Sequence, residues 1–162
     1  MSSPRAPAEE RLMRMTIDLA IENARSGQGG PFAAMIARAN EVIATGVNLV
    51  TSTNDPTAHA EMVAIRKACA TLGTFQLAAC DLYTSCEPCP MCMGAIYWAR
   101  PARVFYAGTA SDAAAAGFDD LLILRELRLP LEARRIPMTQ LLREESLAAF
   151  RIWEQKSDRV RY

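Results

Sequence analysis

The chain has 162 residues, 51% of them apolar, which is enough to bury one continuous core, so a single domain over residues 1–162 is expected. Its formal net charge is zero, whereas proteins that grip a phosphate backbone usually carry a basic excess, so nucleic acid is not an expected partner. No apolar run is long enough for a transmembrane helix, and residues 1–10 lack the apolar middle of a secretory signal peptide. We therefore expect a cytoplasmic protein with no membrane partner.

The first half of the chain predicts one helix and two strands. Residues 9–26 have a broad apolar face at helical spacing, and the glycines that follow end the helix. Residues 32–38 form a nearly unbroken apolar run, which indicates a buried strand. A turn at Asn40–Glu41 leads to residues 42–50, the predicted antiparallel partner of that strand.

A second helix is predicted after the polar loop at residues 51–56. Asp55 and Pro56 have the types that favour an N-cap and a first helical position, and apolar residues continue at helical spacing to Leu72. A strand at 81–85, a short helix at 90–98 and a strand at 104–107 follow.

The resulting order α-β-β-α-β-α-β predicts a three-layer α/β/α sandwich around a mixed central β-sheet. Beyond Gly108 the pattern is weaker, and it predicts helices only at residues 121–127 and 144–156.

The cysteines favour a metal site over a disulfide framework, because their number is odd and three lie within seven residues. Cys69 and Cys80 have the character of small apolar core residues. The five are Cys69, Cys80, Cys86, Cys89 and Cys92.

Two short segments about thirty residues apart carry the chemistry. The first is His59-Ala60-Glu61, and the second contains Pro88, Cys89 and Cys92. Together they match H-x-E followed by P-C-x-x-C, the signature of the zinc deaminases. Either half alone is weak, but both halves in order, each at a predicted helix start, make a specific signal.

The residue types suit a catalytic zinc. Two thiolates and one imidazole hold the ion well, and a catalytic site leaves the fourth position to water. A helix N-terminus favours the ionised form of Cys89 and Cys92. His59 completes the predicted ligand set of one Zn²⁺ per chain. Glu61 is not counted as a ligand, and as a carboxylate beside the water it is the candidate to carry protons.

The residues also permit other interpretations. Cys86 forms a second C-x-x-C pair with Cys89, and as a fourth ligand it would make the zinc purely structural, in a binding module rather than an enzyme. A C-x-x-C pair alone is also compatible with redox chemistry. Considered without the histidine and cysteine segments, Glu61 would be interpreted as an ordinary carboxylate on a helix surface.

The sequence resembles the cytidine deaminase-like superfamily, and within it the bacterial guanine deaminases. The resemblance covers nearly the whole chain beyond the first residues, and its motifs are GGPF at 29–32, NDPTAHAE at 54–61, TSCEPCPMC at 84–92, GAIYWARP at 94–101 and AGFDD at 116–120.

The resemblance implies hydrolysis of guanine at C2 to xanthine and ammonia, with Glu61 and Asp120 catalytic. Asp120 would contact the exocyclic amine. Five residues would contact the purine base: Phe32, Asn48, Ala60, Trp98 and Tyr162.

Other substrates remain open. Guanosine and other aminated heterocycles are alternatives, and so is adenosine in tRNA, since the editing enzymes share the zinc motif. Editing would require a basic groove, for which the chain offers the arginines at 134, 135, 143, 151, 159 and 161.

The resemblance further implies a domain-swapped homodimer. The segment of about residues 137–162 would cross to the second subunit, with residues 127–136 as connector, and Tyr162 would cover the partner's pocket.

Overall fold

The computed structural model describes residues 8–162, which form two compact units, the first ending at Leu121 and the second running from Leu122 to Tyr162. The expectation of a single domain stays a prediction. No helix within residues 8–162 is long and apolar enough to span a membrane.

A four-stranded sheet forms the centre of the first unit. Its order is β2-β1-β3-β4, in which β1 is antiparallel to both of its neighbours and β3 is parallel to β4. The predicted mixed sheet is therefore confirmed. The strands are β1 (Ala33–Arg38), β2 (Glu41–Val47), β3 (Asp81–Cys86) and β4 (Arg103–Gly108).

Side chains on successive residues of β1 point to opposite faces of the sheet and define the three layers. Ala34 and Ile36 pack in a core cluster with residues of two helices, α3 (Ala60–Leu72) and α4 (Pro90–Ala99). Met35 and Ala37 pack in a second cluster with Leu12 of the helix α1 (Ala8–Ser26). Both faces of β1 are buried, which explains why its sequence is an unbroken apolar run.

The segment between β2 and α3 differs from the prediction. Residues predicted as the end of a strand and a loop instead contain a short helix, α2 (Val50–Thr53), because Leu49 accepts hydrogen bonds from the Thr53 amide and hydroxyl at 3.0 and 2.7 Å. The prediction of Asp55 and Pro56 as the start of the next helix was wrong. The Asp55 carboxylate accepts from the amide of Thr57 at 2.8 Å and closes a turn, so the helix begins only at Ala60.

After β4 lies a helix that the prediction missed, α5 (Ala110–Ala115). A capping box marks its start: the Thr109 hydroxyl accepts from the Asp112 amide at 3.2 Å, and Asp112 Oδ2 accepts from the Thr109 amide at 2.8 Å. The T-x-x-D pattern was the sequence signal for it. The helix α6 (Asp120–Arg128) then begins one residue before its predicted start.

The second unit contains the remainder of α6, a 3₁₀ turn (Leu131–Ala133) and the helix α7 (Arg143–Gln155). The helices predicted here are present, with ends shifted by one residue. None of residues 122–162 is buried, although many of them are large and apolar.

Gly46 of β2 lets α3 approach the sheet closely. A Cβ atom at this position would lie 2.2 Å from the carbonyl oxygen of Ala60 and 2.5 Å from the amide nitrogen of Ala64. These are backbone atoms in the first turns of α3, and they cannot move without displacing the helix. The absence of a side chain at Gly46 therefore fixes where α3 begins relative to the sheet.

We predict that Gly46→Ala lowers the free energy of unfolding by ~1–3 kcal/mol, the usual cost of overpacking a closely packed interior. Chemical denaturation followed by circular dichroism measures the change. Gly94→Ala is the matched control, because a Cβ on this exposed residue of α4 meets no atom within 4 Å. The control should be neutral or stabilising by up to ~1 kcal/mol. An unchanged midpoint for Gly46→Ala would contradict the close contact.

Candidate metal centre and adjoining cavity

Two helices begin at the same place and bring the three predicted ligands together. His59 is the N-cap residue of α3, and Cys89 is the N-cap residue of α4, where Pro90 occupies the first helical turn. Cys92 lies in the first turn of α4 and is fully buried. Because helix N-termini carry partial positive charge, both cysteine sulfurs lie where a thiolate is stabilised.

The distances fit a tetrahedral zinc ion. His59 Nδ1 lies 3.5 Å from Cys89 Sγ and 3.6 Å from Cys92 Sγ, and the three ligand atoms lie within 4.8 Å of one another. Ordinary Zn–N and Zn–S bonds at a tetrahedral angle place nitrogen and sulfur about 3.5 Å apart. His59, Cys89 and Cys92 can therefore hold the ion without rearrangement.

The protonation of the site favours a cation. A hydrogen bond from Cys92 lowers the pKa of Cys89 to about 4, and the same contact together with burial raises the pKa of Cys92. The hydrogen bond to Cys89 is the main reason why the pKa of His59 is raised. The lowered pKa of Cys89 favours its thiolate form, which is the form that binds a metal ion.

Glu61 lies beside the ligands and contacts Thr84 and one of the ligands, Cys92. Its side chain is buried, the Thr84 hydroxyl lies 3.0 Å from its Oε1, and the Cys92 thiol lies 3.4 Å from its Oε2. Burial raises the pKa of Glu61, although hydrogen bonds oppose the shift. A raised carboxyl pKa brings the group closer to the range in which it both takes and gives a proton near neutral pH.

A cavity of about 120 Å³ adjoins the ligands. It is lined by seven of the predicted site residues, Phe32, Asn48, His59, Ala60, Glu61, Cys89 and Asp120, and also by Cys86, Glu87, Phe118 and Asp119.

Among the lining residues, Glu87, Phe118 and Asp119 were not predicted from the sequence as site residues. The Phe118 ring meets the Phe32 ring edge to face, with centroids 4.7 Å apart. The Glu87 carboxylate accepts from the amide of Ala110 at 3.0 Å and fastens the start of α5. Phe118 belongs to the AGFDD motif, which was the available signal for it.

Asp120 is the first residue of α6 and faces the cavity. Burial is the main reason why the pKa of Asp120 is raised, and the nearby Cys89 adds to the shift. A carboxyl group with this environment binds a proton more readily than an exposed aspartate does.

Cys86 lines the cavity but is absent from the ligand cluster found among residues 8–162. Its thiol donates to the carbonyl oxygen of Thr109 at 3.4 Å, and burial raises its pKa. The Cys86 thiol is thus engaged elsewhere, which counts against a purely structural zinc site with four protein ligands.

Two predicted binding residues do not line this cavity. Trp98 lies on α4 with 61% of its surface exposed. Tyr162 is the last residue of the second unit and is 69% exposed. Their roles in substrate binding stay predictions.

The fold and the site together define a zinc deaminase: a mixed sheet with helices on both faces, two helix N-termini that present one histidine and two cysteines, and a buried carboxylate beside them. Residues 7–108 match the model of the cytidine and deoxycytidylate deaminase zinc-binding region. The chain belongs to this family.

Within this family, the chain is similar to guanine deaminases over nearly its whole length. The chain is 52% identical over 153 residues to the guanine deaminase of Bacillus subtilis (strain 168), covering 94% of this chain and 98% of the relative. The X-ray structure of the Bacillus subtilis guanine deaminase has a TM-score of 0.92 with the same coverage. A solved guanine deaminase from Nitrosomonas europaea has a TM-score of 0.65 and 34% identity, over 93% of this chain and 86% of that one.

The tRNA-specific adenosine deaminase of Aquifex aeolicus (strain VF5) is 43% identical over only 76 residues, 47% of this chain and 50% of the relative. This alignment covers about half of each chain.

We predict that the purified protein contains one zinc per chain and that Cys89→Ser removes most of it, because an alcohol is a poor zinc ligand at neutral pH. Elemental analysis after dialysis measures the content. Cys86→Ser is the matched control: its thiol bonds to a backbone carbonyl, so this variant should keep its zinc. Loss of zinc from Cys86→Ser would show that Cys86 is a ligand.

Proposed function

We propose that the protein is a zinc-dependent hydrolase that converts guanine and water to xanthine and ammonia. The observation that carries the proposal is the 52% identity to a guanine deaminase over 94% of the chain. That similarity includes most of the second unit.

The cavity supports a free base as the substrate. At about 120 Å³ it is smaller than the pockets of roughly 300 Å³ or more that enclose drug-sized ligands. Phe32 and Phe118 provide flat apolar surface, and Asn48, Glu61 and Asp120 provide polar groups at its edges. A planar base with a polar periphery suits such a lining better than a nucleoside, whose ribose would need additional space.

A zinc ion on His59, Cys89 and Cys92 would lower the pKa of a coordinated water into the neutral range. Glu61 then serves as the proton carrier. Its carboxylate takes a proton from the attacking water and gives it to the ring nitrogen next to C2, while the oxygen bonds to C2. The Thr84 hydroxyl at 3.0 Å from Oε1 holds the carboxylate in place for both transfers.

Asp120 is suited to the departing amine. When the bond from C2 to the exocyclic nitrogen breaks, that nitrogen must carry a third hydrogen to leave as ammonia. A carboxyl group with a raised pKa can pass this proton from the tetrahedral centre to the amine. Xanthine remains, with the oxygen of water at C2.

We predict that the wild-type protein releases ammonia from guanine and that Glu61→Gln lowers kcat by ~10²-fold or more while zinc stays bound, because the amide keeps the size of the side chain and loses the proton transfer. Coupled detection of ammonia and chromatographic detection of xanthine measure the reaction. Wild-type protein that holds zinc and leaves guanine unchanged would overturn the proposed function, and assays with guanosine and a tRNA anticodon stem-loop would then test the alternatives.

We also propose that the second unit completes the site of a partner subunit in a homodimer. It buries none of its side chains, yet large apolar residues of both helices and of the final segment are exposed, including Leu127, Phe150, Trp153, Val160 and Tyr162. A segment of 41 residues without a core does not remain ordered alone, so its apolar face needs a second surface.

Charge supports another copy as that surface. Residues 122–162 contain nine basic and six acidic side chains, a net charge of +3, whereas residues 1–121 contain nine and twelve, a net charge of −3. Opposite charge favours association of the second unit with a first unit, and we propose that this is the first unit of another chain. Exchange of identical elements is a low-cost route to a symmetric dimer.

We predict that deletion of residues 158–162 leaves zinc content and fold unchanged and lowers kcat/KM for guanine by roughly tenfold or more, because a segment that closes over the base excludes water. Circular dichroism and elemental analysis accompany the kinetics. Deletion of residues 1–5 is the matched control for loss of a chain end. Full activity of the shortened chain would contradict a role for the tail.

Mixed dimers test whether the tail acts across subunits. A Glu61→Gln chain with an intact tail, mixed with a shortened chain that has Glu61, should restore activity that neither homodimer has. A monomer at assay concentration in sedimentation experiments would also contradict exchange of the tail.

A further inference from the structure

Asn23 occupies an unusual position in the last turns of α1. It is 4% exposed, and asparagine is disfavoured inside helices because its side chain competes for backbone hydrogen bonds. Here the amide group leaves the helix. Its Nδ2 donates to the carbonyl oxygen of Gly30 at 2.8 Å and to that of Asn48 at 2.9 Å. Both hydrogens of one NH₂ group are thus used to join two segments that flank the cavity.

The side chain of Asn48 is fixed in one orientation by the same group of contacts. Its Oδ1 accepts from the amide of Gly30 at 3.3 Å and from the amide of Val50 at 3.2 Å, while its backbone amide donates to Phe32 at 3.0 Å. A flipped side chain would place an NH₂ group against two N–H donors and lose both bonds. The oxygen therefore faces the backbone.

Because the side-chain oxygen is occupied by these two bonds, only the NH₂ group of Asn48 is available to the cavity that it lines. None of residues 8–162 accepts a hydrogen bond from Asn48 Nδ2. Asn48 consequently offers a donor, and no acceptor, to a bound molecule. A ligand that displaces water from this donor loses free energy unless it supplies an acceptor in its place.

The packing leaves little freedom for another arrangement. A Cβ atom on Gly29 would lie 2.0 Å from the carbonyl oxygen of Asn48, the oxygen that Asn23 binds. The turn before Phe32 and the segment after β2 are therefore in direct backbone contact, and Asn23 is the side chain that satisfies the carbonyl groups at this contact.

We infer that Asn23 is a positioning residue for substrate selection: it holds the segments of Gly30 and Asn48 so that Asn48 presents only its NH₂ group, which requires a hydrogen-bond acceptor on the purine. The inference rests on the proposed function and adds a residue to it that does not touch the substrate. Guanine offers hydrogen-bond acceptors at the exocyclic O6 and at the ring nitrogens N7 and N3. Asn48 reads one of them.

The experiment compares guanine with 2-aminopurine, 7-deazaguanine and 3-deazaguanine, which lack O6, N7 and N3 respectively. For each purine kcat/KM is measured, or the inhibition constant against guanine where there is no turnover. Asn48→Ala should cause a roughly tenfold loss for guanine and leave one analogue unchanged, which identifies the acceptor.

Asn23→Leu and Asn23→Asp should reproduce this pattern, with a loss of up to about 10²-fold for guanine and little change for the same analogue. Both substitutions keep approximate size and remove the two donated bonds. The ratio of the two constants from one preparation does not depend on the folded fraction, so a destabilised variant remains informative.

Thr16→Val is the matched control. Thr16 is also a buried polar residue of α1, but its hydroxyl bonds to Leu12 of the same helix at 2.9 Å. The Thr16→Val variant should leave the selectivity among the four purines unchanged even if the substitution lowers the melting temperature. Equal losses for all four purines in the Asn23 variants, or an unchanged ratio, would overturn the inference. Failure of the wild-type protein to act on guanine would instead overturn the proposed function.

Discussion

The convergence of two helix N-termini on one face of the sheet is the constraint on which the site depends. α3 brings His59 and Glu61, and α4 brings Cys89 and Cys92, so the ligand set exists only while both helices keep their places. The close backbone contact at Gly46 sets one of these places. The positive ends of the two helices also favour the thiolate that a cation requires. Packing and electrostatics thus act on the same few atoms.

Much of this arrangement was readable from the sequence. Burial on both faces gave β1 an apolar run, and the H-x-E and P-C-x-x-C segments identified the residues that the structure brings within 4.8 Å. The start of α3 was misjudged because Asp55 and Pro56 have the types of a helix start, although Asp55 closes a turn with Thr57 instead. Residue type alone does not show which of two local hydrogen bonds is made.

Contacts between segments that are distant along the chain could not be predicted from the sequence. Asn23 lies 25 residues from Asn48, and its role depends on a backbone approach that no local pattern records. The edge-to-face contact of Phe118 with Phe32 joins residues 86 positions apart, and only the AGFDD motif drew attention to that stretch. Trp98 illustrates the reverse case, because an aromatic residue in a strong motif lies exposed on its helix and away from the cavity lining.

Asp120 has a mechanical consequence beyond its chemistry. It is at once a wall of the cavity and the first residue of α6, whose nine residues span about 13 Å to Arg128. A hydrogen-bonded helix of this length bends little, so a change in the backbone direction at Asp120 turns the whole helix. If α6 tilts by a few degrees about its first turn, its last residue moves by roughly an ångström. The backbone of this cavity wall and the direction of α6 are therefore one degree of freedom.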